Sequence, residues 1–567
     1  MNTSALELSR YLTSFQARRL ALYRFDVVVL GTGAAGSTAA LAAAKGGASV
    51  ALIAKDQFAE TNTQYAQGGV AAVLSPTDSL ESHRADTLAL GCGLCEPEVV
   101  ERVVSGGPAA IERLRALGAE FDSDATGHLD LSREGGHSHA RIVHANGAAT
   151  GMEIQKTLGR AVTSNGDIAI FERCFAIDLL TTREAGEESA RISGVLAQTQ
   201  RGELVVFGAD QVILATGGGG QLYRETTNPT IATGDGVAMA FRAGSRVRDL
   251  EFFQFHPTCL YIAGAARVLI SEIVRGEGGI LRDRQGVRFM PEYHKSAELA
   301  PRDVVSRACF DRMVRTGDTN VYLDLSELDR DPHKLFPGIS RICSYFKIDI
   351  AKDPIPVRPG AHYMIGGVRV DVDGRADIAG LWAVGECAST GLHGANRMGS
   401  NSLLEGLVLG EVAGRLAARE ARGGKDVAGD LTLASARAAA PADVKLSIED
   451  LTYSLKSLMW RQMGIVRSED TVLDAISKLE FWTRAVASLG TSDSKSWELV
   501  NMLTLARLAS ESALARTESR GTHERSDFPS MDPAWRVHTV LASVEEGGTI
   551  RSLNHERESI ADSALVR

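Results

Sequence analysis

The stretch Val27-Val28-Val29-Leu30-Gly31-Thr32-Gly33-Ala34-Ala35-Gly36, running into the uncharged Ser37 to Ala44, decides the fold class. Four apolar residues, three of them β-branched, read as a short strand buried on both faces. The glycines after it meet the needs of a dinucleotide pyrophosphate. One allows a tight turn, one lets the backbone approach the phosphates, and one lets the next helix pack on the strand. The phosphates then rest on the free N–H groups and positive end of that helix. Ser49 to Ala54 reads as a second strand, which completes a βαβ unit.

The acid that usually holds a ribose hydroxyl falls about 20 residues after the glycine loop. This chain has Lys55 there and an acid, Asp56, only one place later, which argues against a plain NAD site. Two further strands end in small residues, Val212-Ile213-Leu214-Ala215-Thr216-Gly217-Gly218 and Leu381-Trp382-Ala383-Val384-Gly385-Glu386. Their return to the first βαβ unit points to a large dinucleotide such as FAD lying along the strand ends.

At 567 residues the chain has room for two or three domains. A formal charge of −10 argues against a nucleic-acid partner, which would want a basic face. An anionic substrate must therefore meet a local cluster of Arg and His. Val27 to Ala44 is 18 residues without charge, but its glycines and its place in the βαβ unit argue against a membrane span. Residues 1–24 lack an apolar signal core and read as a dispensable cytosolic extension, with an amphipathic, Arg- and Ser-bearing transit peptide as the alternative. Seven cysteines, an odd number spread along the chain, indicate a reducing compartment, the cytoplasm. Cys92-x-x-Cys95 has no second pair, so it reads as two small apolar residues near a helix start.

The expected organisation is a dinucleotide domain (25–249), an inserted lid (250–353), the rest of the dinucleotide domain (354–420), an Ala- and Gly-rich linker (421–443), and a helical bundle with an irregular tail (444–567). The active site is expected between lid and nucleotide domain. The helical reading of the bundle rests on spacing such as Leu455, Leu458, Met459 and Met463.

His256, in Gln254-Phe255-His256-Pro257-Thr258, would alone read as a core histidine. Three other segments change that. Leu299-Ala300-Pro301-Arg302-Asp303 puts an arginine just inside a helix start, Gly360-Ala361-His362-Tyr363 adds a second histidine, and Arg397 lies in a Gly- and Asn-rich turn before an apolar helix. Two arginines with two histidines suit a four-carbon dicarboxylate, because guanidinium groups bind carboxylates bidentately.

These segments, with Tyr65-Ala66-Gln67-Gly68-Gly69, Arg275-Gly276-Glu277-Gly278, residues 393–405 and Glu518-Ser519-Arg520-Gly521, resemble the succinate dehydrogenase/fumarate reductase flavoproteins over about residues 25–530. The resemblance implies an α/β fold: a Rossmann-like FAD-binding domain interrupted by an α+β capping domain, followed by a C-terminal helical bundle. Ser132-Arg133-Glu134-Gly135-Gly136-His137-Ser138 and Thr226-Thr227-Asn228-Pro229 resemble the aspartate-oxidising branch. Asn62 stands where the respiratory members carry the histidine that links the flavin, so FAD is expected to be non-covalent. By spacing alone Glu134 reads as a solvated acid before a Gly-Gly turn, but the resemblance reverses this: it stands where the respiratory members have a neutral amide, and its charge suits the ammonium of aspartate. Ser271-Glu272 departs from the usual Thr-Glu of that branch, keeping the hydroxyl and losing a methyl.

By this resemblance His256, His362, Arg302, Arg397 and Ser271 hold the two carboxylates, Glu134 meets the amino group, and Arg302 also handles the proton at the substrate carbon, helped by Glu272 or Asp303. The cofactor is expected against Gly31, Gly33, Ala34, Ala35, Gly36, Lys55, Asn62, Thr63, Gln67, Gly68, Gly69, Ala215, Thr216, Gly217, Gly218, Asp235, Glu386, Ser400, Asn401, Ser402 and Leu403. No metal is expected. The implied reaction takes L-aspartate to iminoaspartate, with O2 (giving H2O2) or fumarate as acceptor, at the first step of NAD synthesis from aspartate, with hand-off to quinolinate synthase. A soluble fumarate reductase, or the flavoprotein subunit of a membrane complex, is the alternative; Asn62 and Glu134 count against the latter.

Overall fold

The computed structural model describes residues 5–124, 126–147, 149–182, 190–262, 267–422, 447–489 and 493–560. Its nucleotide sheet has five parallel strands in the order Leu381–Ala383, Gln211–Leu214, Val27–Leu30, Val50–Ile53 and Ile168–Phe171. Val27–Leu30 is buried at every position, as a central strand covered on both faces must be. The helix Ala34–Lys45 leaves the glycine loop and packs along the helix Asn401–Glu420. Small residues permit this: a Cβ at Gly410 would lie 2.5 Å from Ala35 O, and one at Gly414 would lie 2.1 Å from Ala39 O.

The capping unit is an antiparallel sheet in the order Phe253–Leu260, Ile355–Met364, Val321–Asp324 and Ile280–Arg282, with the helix Arg302–Thr316 against it. Its own core includes Val274, Leu281, Val305, Met313, Leu323 and Val357. The strand Ile355–Met364 pairs with Phe253–Leu260, placing Gln254 opposite Tyr363 and His256 opposite Gly360. It therefore belongs to the capping sheet, and the expected return to the nucleotide domain at residue 354 comes after Met364. A strand signal gives no partner when the partner lies about a hundred residues away.

Beyond the nucleotide domain, Ile448–Gln462, Glu469–Leu489 and Ser494–Ala515 form a helical bundle. The expected linker lies almost wholly outside the described residues. Two expectations about the chain ends are overturned. Val537–Glu546 and Thr549–Ser559 form a hairpin, not an irregular tail, and Ala5–Ser9 adds to its free edge. Residues 5–24 are likewise part of the body: Leu6, Leu8, Leu12 and Phe15 are buried, Arg10 donates to Leu179 O, and Ala21–Arg24 extends a second sheet beside Leu204–Gly208. They pack as part of the fold, not as a detached extension. The Gly547-Gly548 pair between two alternating runs was a legible hairpin signal.

Candidate active site

One cavity, about 1850 Å3 with its solvent-open part included, runs from the glycine loop to the face of the capping sheet. At the loop, Gly31 has φ +110°, and a Cβ there would lie 2.1 Å from Ala215 O. Only glycine allows this approach. Thr63 Oγ1 accepts from the Ala34 N–H at 3.0 Å, pinning the first turn of the helix whose leading N–H groups have no intrahelical partners. A second helix, Asn401–Glu420, also begins at the cavity, after Ser400 in a left-handed conformation at φ +61°.

The walls fit a bound dinucleotide. Asn62 Nδ2 donates to Glu386 Oε2 at 2.9 Å, and Glu386 Oε1 accepts from the Met364 N–H at 3.0 Å. The amide is thereby fixed, and Asn62 Oδ1 is left buried without a partner on the cavity wall. Such an atom costs about 1–3 kcal/mol unless something fills the site and donates to it. Lys55 lies where the ribose acid is usual. Its charge is already used, by Asp235 at 2.8 Å and Glu498 at 2.6 Å, so it ties the nucleotide domain to the C-terminal bundle. Burial opposes the Lys55 ammonium, but those carboxylates raise its pKa above the ordinary lysine value.

At the capping end the two arginines converge. Arg302 Nη1 and Arg397 Nη1 each donate to Gln254 Oε1 at 3.4 Å. Arg302 also donates from Nε to Glu272 at 2.7 Å. Burial disfavours its charge, yet Glu272 and then Glu134 raise its pKa. Arg397 forms no ion pair among the described residues; it lies 4.7 Å above the Tyr363 ring and donates to Ser402. Burial, and then Arg302, lower its pKa to about 10, so it keeps its charge at neutral pH. A buried guanidinium with no carboxylate partner, facing a cavity, is an anion site.

Glu134 enters from another direction. Its Oε2 accepts from Ser400 Oγ at 2.8 Å, and its side chain is buried in the cavity wall. The solvated-acid reading is thereby removed. Gly399 must lack a side chain here, since a Cβ would lie 2.6 Å from Glu134 Oε2 and 3.0 Å from Arg302 Nη2.

The two histidines are neutral. Their ring centroids are 5.3 Å apart, and burial followed by the neighbouring arginines takes both pKa values well below 6.5. His256 Nδ1 accepts from the Thr258 N–H at 3.3 Å, which assigns its proton to Nε2. His362 Nδ1 meets the Thr227 hydroxyl at 2.9 Å. Both rings can offer an N–H to a carboxylate without adding charge.

All six expected substrate residues, Glu134, His256, Ser271, Arg302, His362 and Arg397, line this one cavity. Most of the expected cofactor residues line it too; Gly36, Gly218 and Asn401 do not. Gly36 and Gly218 are spacers, each with backbone or Glu386 where a Cβ would stand. The Asn401 side chain is turned away, bonded to His83 Nε2 at 2.9 Å and Thr87 Oγ1 at 3.1 Å. Glu272, not Asp303, touches Arg302; Asp303 Oδ1 is held by Asn396 at 2.9 Å. Gln254, Thr227 and Tyr363 were absent from the expected set, although all three lie within the motifs that flagged their neighbours.

Residues 26–403 match the FAD binding domain family and residues 452–561 match the fumarate reductase flavoprotein C-terminal family. Fold and site thus define an FAD-binding flavoprotein of the fumarate reductase class. The FrdA chain of Escherichia coli quinol fumarate reductase, in a mutant form, superposes with a TM-score of 0.85 at 32% identity, over 96% of this chain and 98% of that one. Two curated relatives are nearer in sequence. The L-aspartate oxidase of Streptomyces coelicolor is 42% identical, over 91% of each chain, and the chloroplastic L-aspartate oxidase 2-b of Nicotiana tabacum is 43% identical, over 91% of this chain and 83% of that one. The chain belongs to the L-aspartate oxidase family.

Proposed function

We propose that the protein oxidises L-aspartate to iminoaspartate, with O2, giving H2O2, or fumarate as electron acceptor. The observation that carries this reading is the pairing of opposite charges in one buried cavity: Arg397, with no ion-pair partner among the described residues, and the carboxylate of Glu134. A plain dicarboxylate needs only the first, whereas an α-amino dicarboxylate uses both.

Arg397 and Arg302 bind the two carboxylates, with neutral N–H donors from His256 and His362 and the Ser271 hydroxyl beside them. Glu134 pairs with the ammonium and selects the amino acid. FAD, bound without a covalent link because Asn62 stands at the linking position, supplies the two-electron acceptor. The substrate groups are buried between capping sheet and nucleotide sheet, where the lower effective dielectric strengthens each ion pair. Arg302 is the group placed to give or take a proton at the substrate carbon. Free guanidinium is almost never deprotonated, and the Glu272 carboxylate on its Nε holds the group in place and favours its charged, proton-bearing form, in which it can donate to the substrate. Burial works against that carboxylate, but Arg302 and Arg275 hold its pKa below the ordinary value.

An imine of this kind hydrolyses in water, so the product is passed on promptly, to quinolinate synthase at the start of NAD synthesis. The cytoplasm is the compartment that the sequence favours, while plant relatives carry the name chloroplastic. No helix among the described residues is long and apolar enough to cross a membrane. The second reading, a fumarate reductase, draws on the likeness to quinol fumarate reductase. Assaying the purified protein with L-aspartate, D-aspartate and succinate, with and without oxygen, separates the two. Oxidation of L-aspartate alone supports an oxidase, and turnover of succinate without aspartate overturns it.

A further inference from the structure

Arg302 is carried by the capping unit and Arg397 by the nucleotide domain, yet both point at one amide oxygen. Like charges held this closely repel, and Arg302 is the neighbour that most lowers the Arg397 pKa after burial. Holding them at a fixed separation therefore needs a mechanical link between the two elements.

The residues next in sequence supply it. Asp303, beside Arg302, accepts at Oδ1 from the Asn396 amide at 2.9 Å, and Asn396 precedes Arg397. Asn396 Oδ1 in turn accepts from Gln254 at 3.1 Å. One turn further along the capping helix, Arg307 donates to the other oxygen of Asp303 at 2.8 Å and to Gly521 O of the C-terminal domain at 2.7 Å. The neighbouring Thr522 closes the ring: its N–H and hydroxyl both donate to Ala395 O, at 2.9 and 3.1 Å. Gly521 has φ +55°, and a Cβ there would lie 2.3 Å from the same Ala395 O, so the segment lies flat on the loop.

We infer that Arg307 and the strap Gly521-Thr522 are positioning elements that set the separation of the two substrate arginines, one anchor serving both the capping helix and the Ala395–Arg397 loop. The inference rests on the reading that Arg302 and Arg397 bind the two carboxylates. Neither Arg307 nor Thr522 lines the cavity. They act through the population of protein in which the arginines already stand at binding distance. When that population falls, the apparent Kd of every dicarboxylate rises by the same factor, and the rate from the bound state does not change.

The test uses flavin-replete Arg307→Gln, Thr522→Val and the double variant. Arg307→Gln is expected to raise KM for L-aspartate and for fumarate alike by about tenfold, leaving kcat within about twofold and the flavin spectrum unchanged. The Kd of succinate, followed by perturbation of the oxidised flavin spectrum, should rise by the same factor. Thr522→Val, which keeps the N–H, should do the same to a smaller extent, and Arg307→Lys should restore part of the loss. If both act through the strap, the double variant is less impaired than the product of the two single effects. Parental KM and Kd in a folded Arg307→Gln protein overturn the inference, as does lowered thermal stability with unchanged KM. Should Arg307→Gln fail to fold, Thr522→Val decides by the same criteria. Arg397→Leu separates the two failures: if it also has normal kinetics, the carboxylate reading falls, whereas if it alone is impaired, only the strap falls.

Discussion

Ser400 donates its hydroxyl to Glu134 at 2.8 Å, across 266 residues of sequence. The bond fixes one oxygen of a buried carboxylate and leaves the other to the cavity. The result is a carboxylate acceptor set among cationic groups in one cavity, the feature to which the proposed preference for an amino acid is assigned.

Glu134→Gln keeps the size and removes the charge. If Glu134 pairs with the substrate ammonium, the loss for L-aspartate is about 1.5–3 kcal/mol, ten- to a hundredfold in kcat/KM. Fumarate reduction should be unchanged or improved, because repulsion of its carboxylates is relieved. The ratio of the two activities is the measurement. A parallel fall in both would assign Glu134 to the fold or the flavin, and no change in either would remove it from substrate selection.

Arg397→Leu should lower kcat/KM at least about tenfold for aspartate and fumarate alike, since a charge-assisted bond to a carboxylate contributes about 1.5–3 kcal/mol and both substrates carry that carboxylate. Steady-state kinetics of flavin-replete protein check it. Loss confined to one substrate contradicts the shared role.

Asn62 donates to Glu386, and residues 60–69 contain no histidine. An amide cannot form the histidyl link, so acid precipitation should release the yellow colour into the supernatant. Colour held in the washed pellet would mean another residue has taken the link.

His83 and His137 are buried neutral, each with its pKa lowered to about 4, chiefly by burial. The unfolded chain takes up these protons below about pH 6.5 and the folded one does not, so this part of the stability is complete at higher pH and is lost as pH falls from about 6.5 towards 4. At pH 5 each contributes a loss of about 2 kcal/mol. His83→Gln removes its share. Urea unfolding at pH 8 and pH 5 should show the deficit of the variant, relative to the parent, shrinking by about that amount at the lower pH. An equal deficit at both values would mean that His83 is not proton-linked.

What the sequence determined by itself is what short-range constraints carry. A buried strand, a glycine with backbone against its missing side chain and a helix start are set by neighbours a few residues apart, so the βαβ unit, the helix after Pro301 and the identity of the arginines and histidines were legible. The family likeness extended this to Glu134 and Asn62. Only the tertiary structure decided how these pieces meet. Asn62 finds Glu386 across 324 residues and Arg307 finds Gly521 across 214. The strand Ile355–Met364 joined the cap and residues 5–9 joined a C-terminal hairpin for the same reason. A backbone edge accepts any extended partner that buries its apolar face, and which partner arrives depends on the packing of the whole chain. Gln254 shows the limit most directly. An amide in a hydrophobic strand reads as an ordinary core polar group until folding sets Arg302 and Arg397 on its single oxygen.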